Sequence, residues 1–432
     1  MRGKVGAIKH NIVIPFLLIH AILIFSYLVN FIANPIRHLF VDDWVIFKDF
    51  SLDNYGFNSQ NQTSYNGHHL LFTRVLFIFV TDTLRLDIAT MAFILFILYV
   101  IVLYIFAFKI THNFNNRNLA RFGIIIIGLN LNQYQNFVMP ICWPWIISLI
   151  IFYLAFIALI SNQSILKYLF LVTLILVSPQ IFGLGNILPI GILLISLRST
   201  LFYGLTVKKI GLIISSALSM VFSYALSAES GENTYENFVG LNSLIENPTG
   251  GIAFILSSFG APFAPASKYS TYISMLCGGL ILALLLYMYK RSKNYGLPQT
   301  KILVLCGLIF HCLQFFARYN GSYQSIVVVN QPRYTSGALI LIMGLFLASL
   351  SRNFNKLNIS VTFVILAIMS ISGFKTSWDF AQNRGKASNL IRICTDKNGF
   401  QNQLCLKMLD PGSKILDTNE FSEAVEYLSF RR

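Results

Sequence analysis

Long apolar segments separated by short polar ones make up most of this chain between residues 12 and 374. A helix needs about 20 apolar residues to cross a bilayer, and helices are the economical way to satisfy the backbone within it. The segments that approach or reach this length are 12–33, 88–108, 122–140, 145–161, 168–182, 187–204, 210–227, 272–289, 302–317, 335–350 and 358–374. The pattern therefore predicts an all-α membrane protein with about eleven transmembrane helices.

Two further apolar segments do not fit this series. Residues 70–81 contain Arg74 and are too short to span, so we expect an interfacial helix along the outer surface. The second segment, Gly251 to Pro265, would place the basic cluster at Lys290 on the wrong side if it crossed. We therefore expect it to be re-entrant or surface-lying.

The charged residues orient these segments. Lys and Arg are expected in the inner loops, and the expected inner loops of this chain contain no acidic residue. The 17 Asp and Glu residues all fall on the other side, in the first loop, in a middle loop and after residue 375. The sequence thus predicts an inner N-terminus and an outer C-terminus. Four tryptophans near the outer side suggest an aromatic belt, namely Trp44, Trp143, Trp145 and Trp378.

Composition supports the same class of protein. With 55% hydrophobic and 11% charged residues, the chain is not a soluble globular protein. The net charge of +15 is explained by the bias of inner loops toward Lys and Arg and by contact with anionic membrane lipids, without any nucleic acid partner. No metal-ligand spacing or nucleotide-binding motif is present.

The chain divides into two regions by composition. Residues 1–374 form a polytopic membrane domain with a large first outer loop over 34–87, and residues 375–432 have the mixed charge of a small outer tail or domain. Cys394 and Cys405 lie in this tail, on the side that is oxidising in a bacterium, which allows a disulfide between them.

Asp42 and Asp43 are the first acidic residues after the first apolar segment, and Trp44 follows them. Two adjacent carboxylates at a membrane surface are costly to place, so they usually have a function. Their mutual repulsion raises the affinity of one of them for a proton, which suits a general base near neutral pH. Nucleotide sugars are absent outside the inner membrane, so a donor used there arrives on a lipid carrier.

An acidic pair at the start of a large outer loop resembles the GT-C superfamily of membrane glycosyltransferases, which use polyprenyl-phosphate-linked sugars. The segment Gly67-His68-His69-Leu70-Leu71-Phe72-Thr73-Arg74 is similar to a His-Arg-x-x-Phe-Pro-Arg stretch of bacterial members. His68, Phe72 and Arg74 match it, whereas Gly67, His69 and Thr73 replace residues often found there. Weaker similarities are Gly185-Asn186, Phe259-Gly260-Ala261-Pro262 and Pro332-Arg333-Tyr334. The family includes phage-borne glucosyltransferases that decorate O-antigen.

The resemblance implies an inverting transfer of glucose or a similar hexose to a surface polysaccharide or lipid-linked oligosaccharide, at the periplasmic face of the bacterial inner membrane. Asp42 or Asp43 would be the catalytic base. The groups expected around the donor phosphate are His68, His69, Arg74 and Arg333, and those expected near the acceptor are Trp44, Glu229 and Glu232. No metal ligands are assigned, no cofactor is required, and the sequence leaves open whether a divalent cation takes part.

Two other functions remain open at this stage. An O-antigen polymerase or ligase is also a multi-span outer-face enzyme, but such enzymes rely on arginine-bearing outer loops and lack an acidic pair so soon after the first span. A transporter or flippase would show internal repeats and ionisable residues at mid-membrane. The acidic residues of this chain instead collect at the outer side.

Overall fold

The structure is a computed structural model. It describes residues 50–51, 56–57, 64–65, 68–69, 71–114, 116–161, 164–229, 239–264, 270–291, 298–350 and 373–398, with isolated positions between 18 and 39 and position 368. Within these ranges the chain is almost entirely helical, in agreement with the predicted all-α class. The isolated helical positions between 18 and 33 fall in the first predicted span.

The first half of the described chain contains four short strands and eight helices. Two antiparallel strand pairs lie before the first helix: β1 (Phe50–Ser51) with β2 (Gly56–Phe57), and β3 (Ser64–Tyr65) with β4 (His68–His69). The helices are α1 (Leu71–Ile78), α2 (Ile88–Ile110), α3 (Arg117–Gly128), α4 (Gln135–Val138), α5 (Trp143–Ile160), α6 (Ile165–Ile181), α7 (Ile187–Tyr203) and α8 (Val207–Glu229). A π-helical turn, Phe79–Thr83, extends α1.

The second half contains seven more helices. They are α9 (Val239–Glu246), α10 (Pro248–Gly260), α11 (Ser270–Arg291), α12 (Pro298–Arg318), α13 (Tyr323–Val328), α14 (Thr335–Ser349) and α15 (Phe374–Asn398). Short 3-10 turns lie between helices at Leu131–Gln133, Pro140–Cys142, Gly183–Asn186, Ala261–Phe263 and Pro332–Tyr334. Proline occupies the first turn of several of these segments, where its missing N–H costs nothing.

Six described segments are long and apolar enough to cross a bilayer, and this supports the assignment to membrane proteins. They are Ile88–Ile110, Pro140–Ile160, Gly183–Tyr203, Ser270–Tyr287, Pro298–Arg318 and Pro332–Ser349, with the shorter apolar helix Ile165–Ile181 beside them.

One predicted span is wrong as a continuous helix. The segment 122–140 forms α3 only as far as Gly128, and then breaks into a 3-10 turn, the one-turn helix α4 and a second 3-10 turn. The cause is a run of amide side chains after residue 129, which compete with the helical hydrogen bonds of the backbone.

Close helix packing in this bundle depends on glycines at particular contacts. A Cβ at Gly307 of α12 would come within 2.5 Å of the Leu341 Cα of α14, and a Cβ at Gly344 would come within 2.8 Å of the Val304 backbone nitrogen. The two helices are therefore antiparallel and in close backbone contact. Small residues permit this approach, which maximises van der Waals contact within a membrane.

Interhelical contacts place three helix connections at one end of the bundle. Phe106, late in α2, stacks on Tyr153 in the second half of α5, so both helices finish at this end. The Tyr168 hydroxyl at the start of α6 donates to the Lys208 carbonyl at the start of α8. We call this the basic end, because it carries Lys109, Arg117, Arg121, Lys167, Arg198, Lys208 and Lys209. The other end is called the opposite end.

The segment predicted to be re-entrant or surface-lying is α10 with the turn that follows it. Its helix has 13 residues and is too short to cross a bilayer. Phe254, Phe259 and Phe263 are buried within the protein, and a Cβ on Gly260 would collide with the Ser274 carbonyl oxygen of α11. This packing is compatible with the re-entrant alternative, and we call α10 with this turn the re-entrant segment.

Candidate functional site

The opposite end of the bundle is built around the break that follows α3. The last carbonyls of a helix lack intrahelical donors, and lipid provides none. At Gly128 two side chains supply them: the Tyr99 hydroxyl donates to its carbonyl at 2.7 Å and Gln133 Nε2 donates to the same oxygen at 2.5 Å. The break is therefore stabilised by buried polar side chains.

A network of buried amides and hydroxyls continues from this point to α14. The Ser336 hydroxyl donates to Gln133 Oε1 at 2.9 Å, and Asn136 Nδ2 lies within donating distance of the Ser336 hydroxyl (2.5 Å) and the Arg333 carbonyl (3.1 Å). Gln133, Asn136 and Ser336 are fully buried. The bond from Asn136 Nδ2 to the Arg333 carbonyl thus fixes the backbone that carries Arg333.

A second set of bonds joins the same break to the re-entrant segment. Asn132 Nδ2 donates to the Pro262 carbonyl at 2.7 Å, and Asn130 Nδ2 donates to it at 3.4 Å. The Asn130 side-chain oxygen accepts from the Asn132 backbone N–H at 2.9 Å. The turn at 261–263 is therefore held against the turn at 131–133.

Helix α15 covers this region from the outside of the bundle. The Tyr134 ring lies 4.9 Å from the Phe380 ring, and Ala381 is buried beside them. Burial raises the pKa of the Tyr134 phenol to about 12, and the positive charge of Arg384 opposes part of this shift. Cys394 near the end of α15 is disulfide-bonded, in accord with the disulfide that the sequence allows; Cys405 lies outside the described residues.

Two arginines flank one tyrosine ring in front of the amide network. The guanidinium carbon of Arg318, the last residue of α12, lies 5.8 Å from the centroid of the Tyr334 ring, and that of Arg333 lies 5.4 Å from it. The two guanidinium groups are thus no more than about 11 Å apart. Trp145 packs edge-on against the same ring at 5.5 Å. Tyr334 therefore sits between an aromatic partner and two cations.

The polarity of the surrounding chain adds to this positive field. The turn Pro332–Tyr334 leads directly into α14, so the positive end of the helix dipole lies at these arginines. The hydroxyl of Thr335 is buried and has no hydrogen-bond partner among the described residues. Such an arrangement suits an anion, above all a phosphate, which arginine grips through two oxygens.

A further polar group lies between α10 and α12. The Ser258 hydroxyl donates to Gln314 Oε1 at 2.6 Å and lies 2.5 Å from His311 Nδ1, so that nitrogen is the donor in their contact. All three side chains are buried, and the His311 ring packs 4.5 Å from the Phe259 ring. These bonds fasten the re-entrant segment to α12, the helix that ends at Arg318.

The structure describes only part of the site predicted from sequence. Asp42, Asp43, Trp44 and Glu232 lie outside the described residues. His68 and His69 form β4, whose backbone lies against α8, the helix that ends at Glu229. Arg333 lies near the Tyr334 ring, which Arg318 also approaches.

Arg74 lies on α1, as the predicted helix over 70–81 requires, and it is only 3% exposed. Helix α1 packs against the turn Pro140–Cys142 and the neighbouring helices α5 and α6. Trp145 of α5 contacts Tyr334, so Arg74 and Arg333 are held by elements that meet around the beginning of α5.

The expected aromatic belt is wrong for two of its members. Trp143 and Trp145 are 1% and 5% exposed and pack within the protein, because they begin α5 between the broken segment and the turn at 183–186. Trp145 contacts Phe182 at 4.8 Å. These residues shape the interior of the opposite end.

The buried amides are the site residues that sequence reasoning missed. Five of the seven residues from Asn130 to Asn136 are Asn or Gln, a run that is costly inside a predicted span. That density of amides was the available signal for a broken segment. The sequence carries no comparable signal that Arg318 and Arg333 approach the same tyrosine ring, because this depends on how two helices pack.

Comparison with known proteins adds no family assignment. No family model matches the chain, and no match was found among curated proteins or among solved structures.

Proposed function

We propose that this chain is a membrane glycosyltransferase that uses a polyprenyl-phosphate-linked hexose. The observation that carries the proposal is the pair Arg318 and Arg333 around Tyr334 at the beginning of α14. The opposite end of the bundle thus offers two cations, a helix N-terminus and a buried hydroxyl. These groups suit the phosphate of a lipid-linked donor. The acceptor is a surface polysaccharide such as O-antigen.

The proposed chemistry is a single inverting displacement. Asp42 or Asp43 removes the proton from an acceptor hydroxyl, whose oxygen forms a bond to the anomeric carbon of the donor sugar. The bond between that carbon and the phosphate oxygen breaks, and the phosphate leaves with its electron pair. Arg318 and Arg333 stabilise the charge that develops on the leaving phosphate. His68, His69 and Arg74 remain proposed contributors, and Trp44, Glu229 and Glu232 are proposed to contact the acceptor.

The bundle geometry is compatible with a site that opens to the periplasm. The basic connections lie together at one end, as expected for the cytoplasmic side of a bacterial inner membrane. The disulfide at Cys394 belongs to α15, which packs at the other end, and disulfides persist in oxidising compartments. Both observations support a periplasmic active site.

The proposal is tested by mass analysis of the lipopolysaccharide from cells with and without the chain. We expect one added hexose per repeat unit with the wild-type chain and none with Asp42→Asn or Asp43→Asn. Asp379→Asn is the matched control, because Asp379 is an exposed carboxylate on α15. Full modification by both single variants, each inserted at the wild-type level, would reject the proposed base.

The same samples separate this function from that of a polymerase or ligase. A decorating transferase changes the composition of the polysaccharide and leaves the distribution of chain lengths unaltered. Shorter or missing chains in the absence of the protein would instead support the polymerase or ligase alternative.

A further inference from the structure

The connection between α7 and α8 at the basic end exposes a group of apolar side chains. Every residue from 201 to 208 is exposed, and Leu201, Tyr203 and Val207 expose 85%, 83% and 85% of their surface. A contiguous apolar surface of this size marks contact with a membrane or a partner.

This connection has a defined backbone. Lys209 Nζ donates to the Ser199 carbonyl at 3.1 Å and to the Gly204 carbonyl at 2.9 Å, and so ties the start of α8 to the last turns of α7. Gly204 has a φ of 76°, which a residue with a side chain rarely adopts. The Tyr168 hydroxyl binds the Lys208 carbonyl and ties the connection to α6. The exposed side chains are therefore presented in a fixed arrangement.

Cationic side chains surround the exposed apolar ones. The Arg198 guanidinium carbon lies 5.9 Å from the Phe202 ring centroid, one helical turn away, and Lys167 and Lys208 are exposed. The sequence contains no acidic residue from 88 to 228, so these helices bring no carboxylate to the cations. Apolar tips flanked by Arg and Lys lie at the boundary of a bilayer, where the cations reach the lipid phosphates.

We propose that the α7–α8 connection, together with the first turn of α6, is a binding site for the headgroup phosphate of an anionic phospholipid. Arg198, Lys208 and Lys167 contact the phosphate, and Phe202 and Tyr203 lie among the upper acyl chains. The uniform positive charge favours this ligand over a protein partner. The site is independent of the proposed sugar transfer, because it lies at the basic end.

The test uses the purified full chain in a mild non-ionic detergent. Phosphatidylglycerol or phosphatidylcholine is titrated in, and bound lipids are counted by native mass spectrometry. We expect the wild-type chain to retain phosphatidylglycerol in preference to phosphatidylcholine. Each basic residue near an anionic surface contributes about fivefold to binding, so the double variant Arg198→Gln/Lys208→Gln should lower the preference for phosphatidylglycerol by about 25-fold.

Two control variants keep the test decisive. Lys109→Gln/Lys301→Gln removes two exposed cations from other helices and is expected to retain the preference. Arg198→Lys/Lys208→Arg changes the same two positions but keeps their charge. We expect it to retain most of the preference for phosphatidylglycerol, which shows that a loss in the glutamine variant comes from the missing charge. The proposal would be overturned if Lys109→Gln/Lys301→Gln lost the lipid preference to the same extent, or if Arg198→Gln/Lys208→Gln kept it. Equal displacement of the lipid by inorganic phosphate at matched concentration would also overturn it.

Discussion

The helices at the two ends of this bundle differ in how their terminal backbone groups are hydrogen-bonded. At the basic end α7 and α8 run to a short connection, and Lys209 of α8 donates to two carbonyls around the end of α7. At the opposite end α3 stops early, and the buried side chains of Tyr99 and Gln133 donate to the Gly128 carbonyl that it leaves open. In a membrane, irregular backbone is tolerated where protein groups satisfy it, and such places line functional cavities.

This difference sets the candidate site apart from the basic end. Buried side chains hold the backbone of Arg333 at the opposite end, and the Arg333 and Arg318 guanidinium groups both lie near the Tyr334 ring. Five of the seven cations of the basic end are exposed, so water and salt weaken their interactions, whereas Arg318 and Arg333 are half-buried. A half-buried anion site gains more from each charge than an exposed one does.

Removing the two arginines of the opposite end should have the largest effect. We expect Arg318→Ala and Arg333→Ala each to lower sugar transfer by about 100-fold or more, because each removes a cation from the leaving phosphate. The assay follows a labelled hexose from polyprenyl phosphate to polysaccharide in membranes. Lys109→Gln/Lys301→Gln is the control and should stay within about threefold of the wild type. A similar loss in the control would remove the functional distinction between the two ends.

Disruption of the buried amide network should have the second-largest effect. Asn136→Ala leaves the Ser336 hydroxyl and the Arg333 carbonyl without their donor, at a cost of about 2–3 kcal/mol in the free energy of unfolding. Unfolding in detergent is followed by circular dichroism. Asn118→Ala, at an exposed position of α3, should cost less than about 0.5 kcal/mol. Equal stability of the two variants would mean that the network does not stabilise the break.

The packing of the re-entrant segment offers a test with adjacent positions. A Cβ on Gly278 of α11 would collide with the Leu256 carbonyl oxygen of α10, whereas a Cβ on Gly279 meets nothing within 4 Å. Gly278→Ala should therefore lower the free energy of unfolding by about 1–3 kcal/mol. Gly279→Ala should be neutral or stabilise by up to about 1 kcal/mol. Thermal unfolding of both variants measures the difference. A Gly278→Ala variant more stable than Gly279→Ala would contradict the described contact between α10 and α11.

The smallest effect is expected at the basic end. Lys209→Met removes the ammonium group from the end of α7 and should cost about 0.5–1 kcal/mol. Lys301→Met changes an exposed lysine in the first turn of α12 and should cause no loss. The two are compared by chemical unfolding in neutral detergent. A cost for Lys209→Met above that of Asn136→Ala would reverse the comparison between the two ends.

Much of the fold follows from the sequence where helices are uninterrupted. The helices predicted over 88–108, 187–204 and 335–350 are present as Ile88–Ile110, Ile187–Tyr203 and Thr335–Ser349. Continuous apolar segments bounded by basic or glycine-containing turns leave little choice of structure. The prediction failed at 122–140, because an average over apolar residues conceals the amides that break the helix there.

The candidate site is less accessible to prediction. The sequence predicts Arg333 as a phosphate-binding residue, and the structure places its guanidinium group near the Tyr334 ring. Its partner Arg318 is 15 positions away on another helix, and the meeting of both at Tyr334 depends on the packing of α12 against α14. The interior position of Trp145 also depends on helix packing. Contacts of this kind are set by tertiary structure, which hydropathy does not encode.

Recognition of a lipid phosphate at the opposite end is the central claim, and binding tests it most directly. The measurement titrates the purified full chain with polyprenyl phosphate and with the corresponding polyprenol, and follows binding by intrinsic tryptophan fluorescence. We predict that the phosphate binds at least about tenfold more tightly than the alcohol, and that Arg318→Ala/Arg333→Ala abolishes this difference. Equal affinity for the phosphate and the alcohol, or a preference that persists in the double variant, would contradict the account.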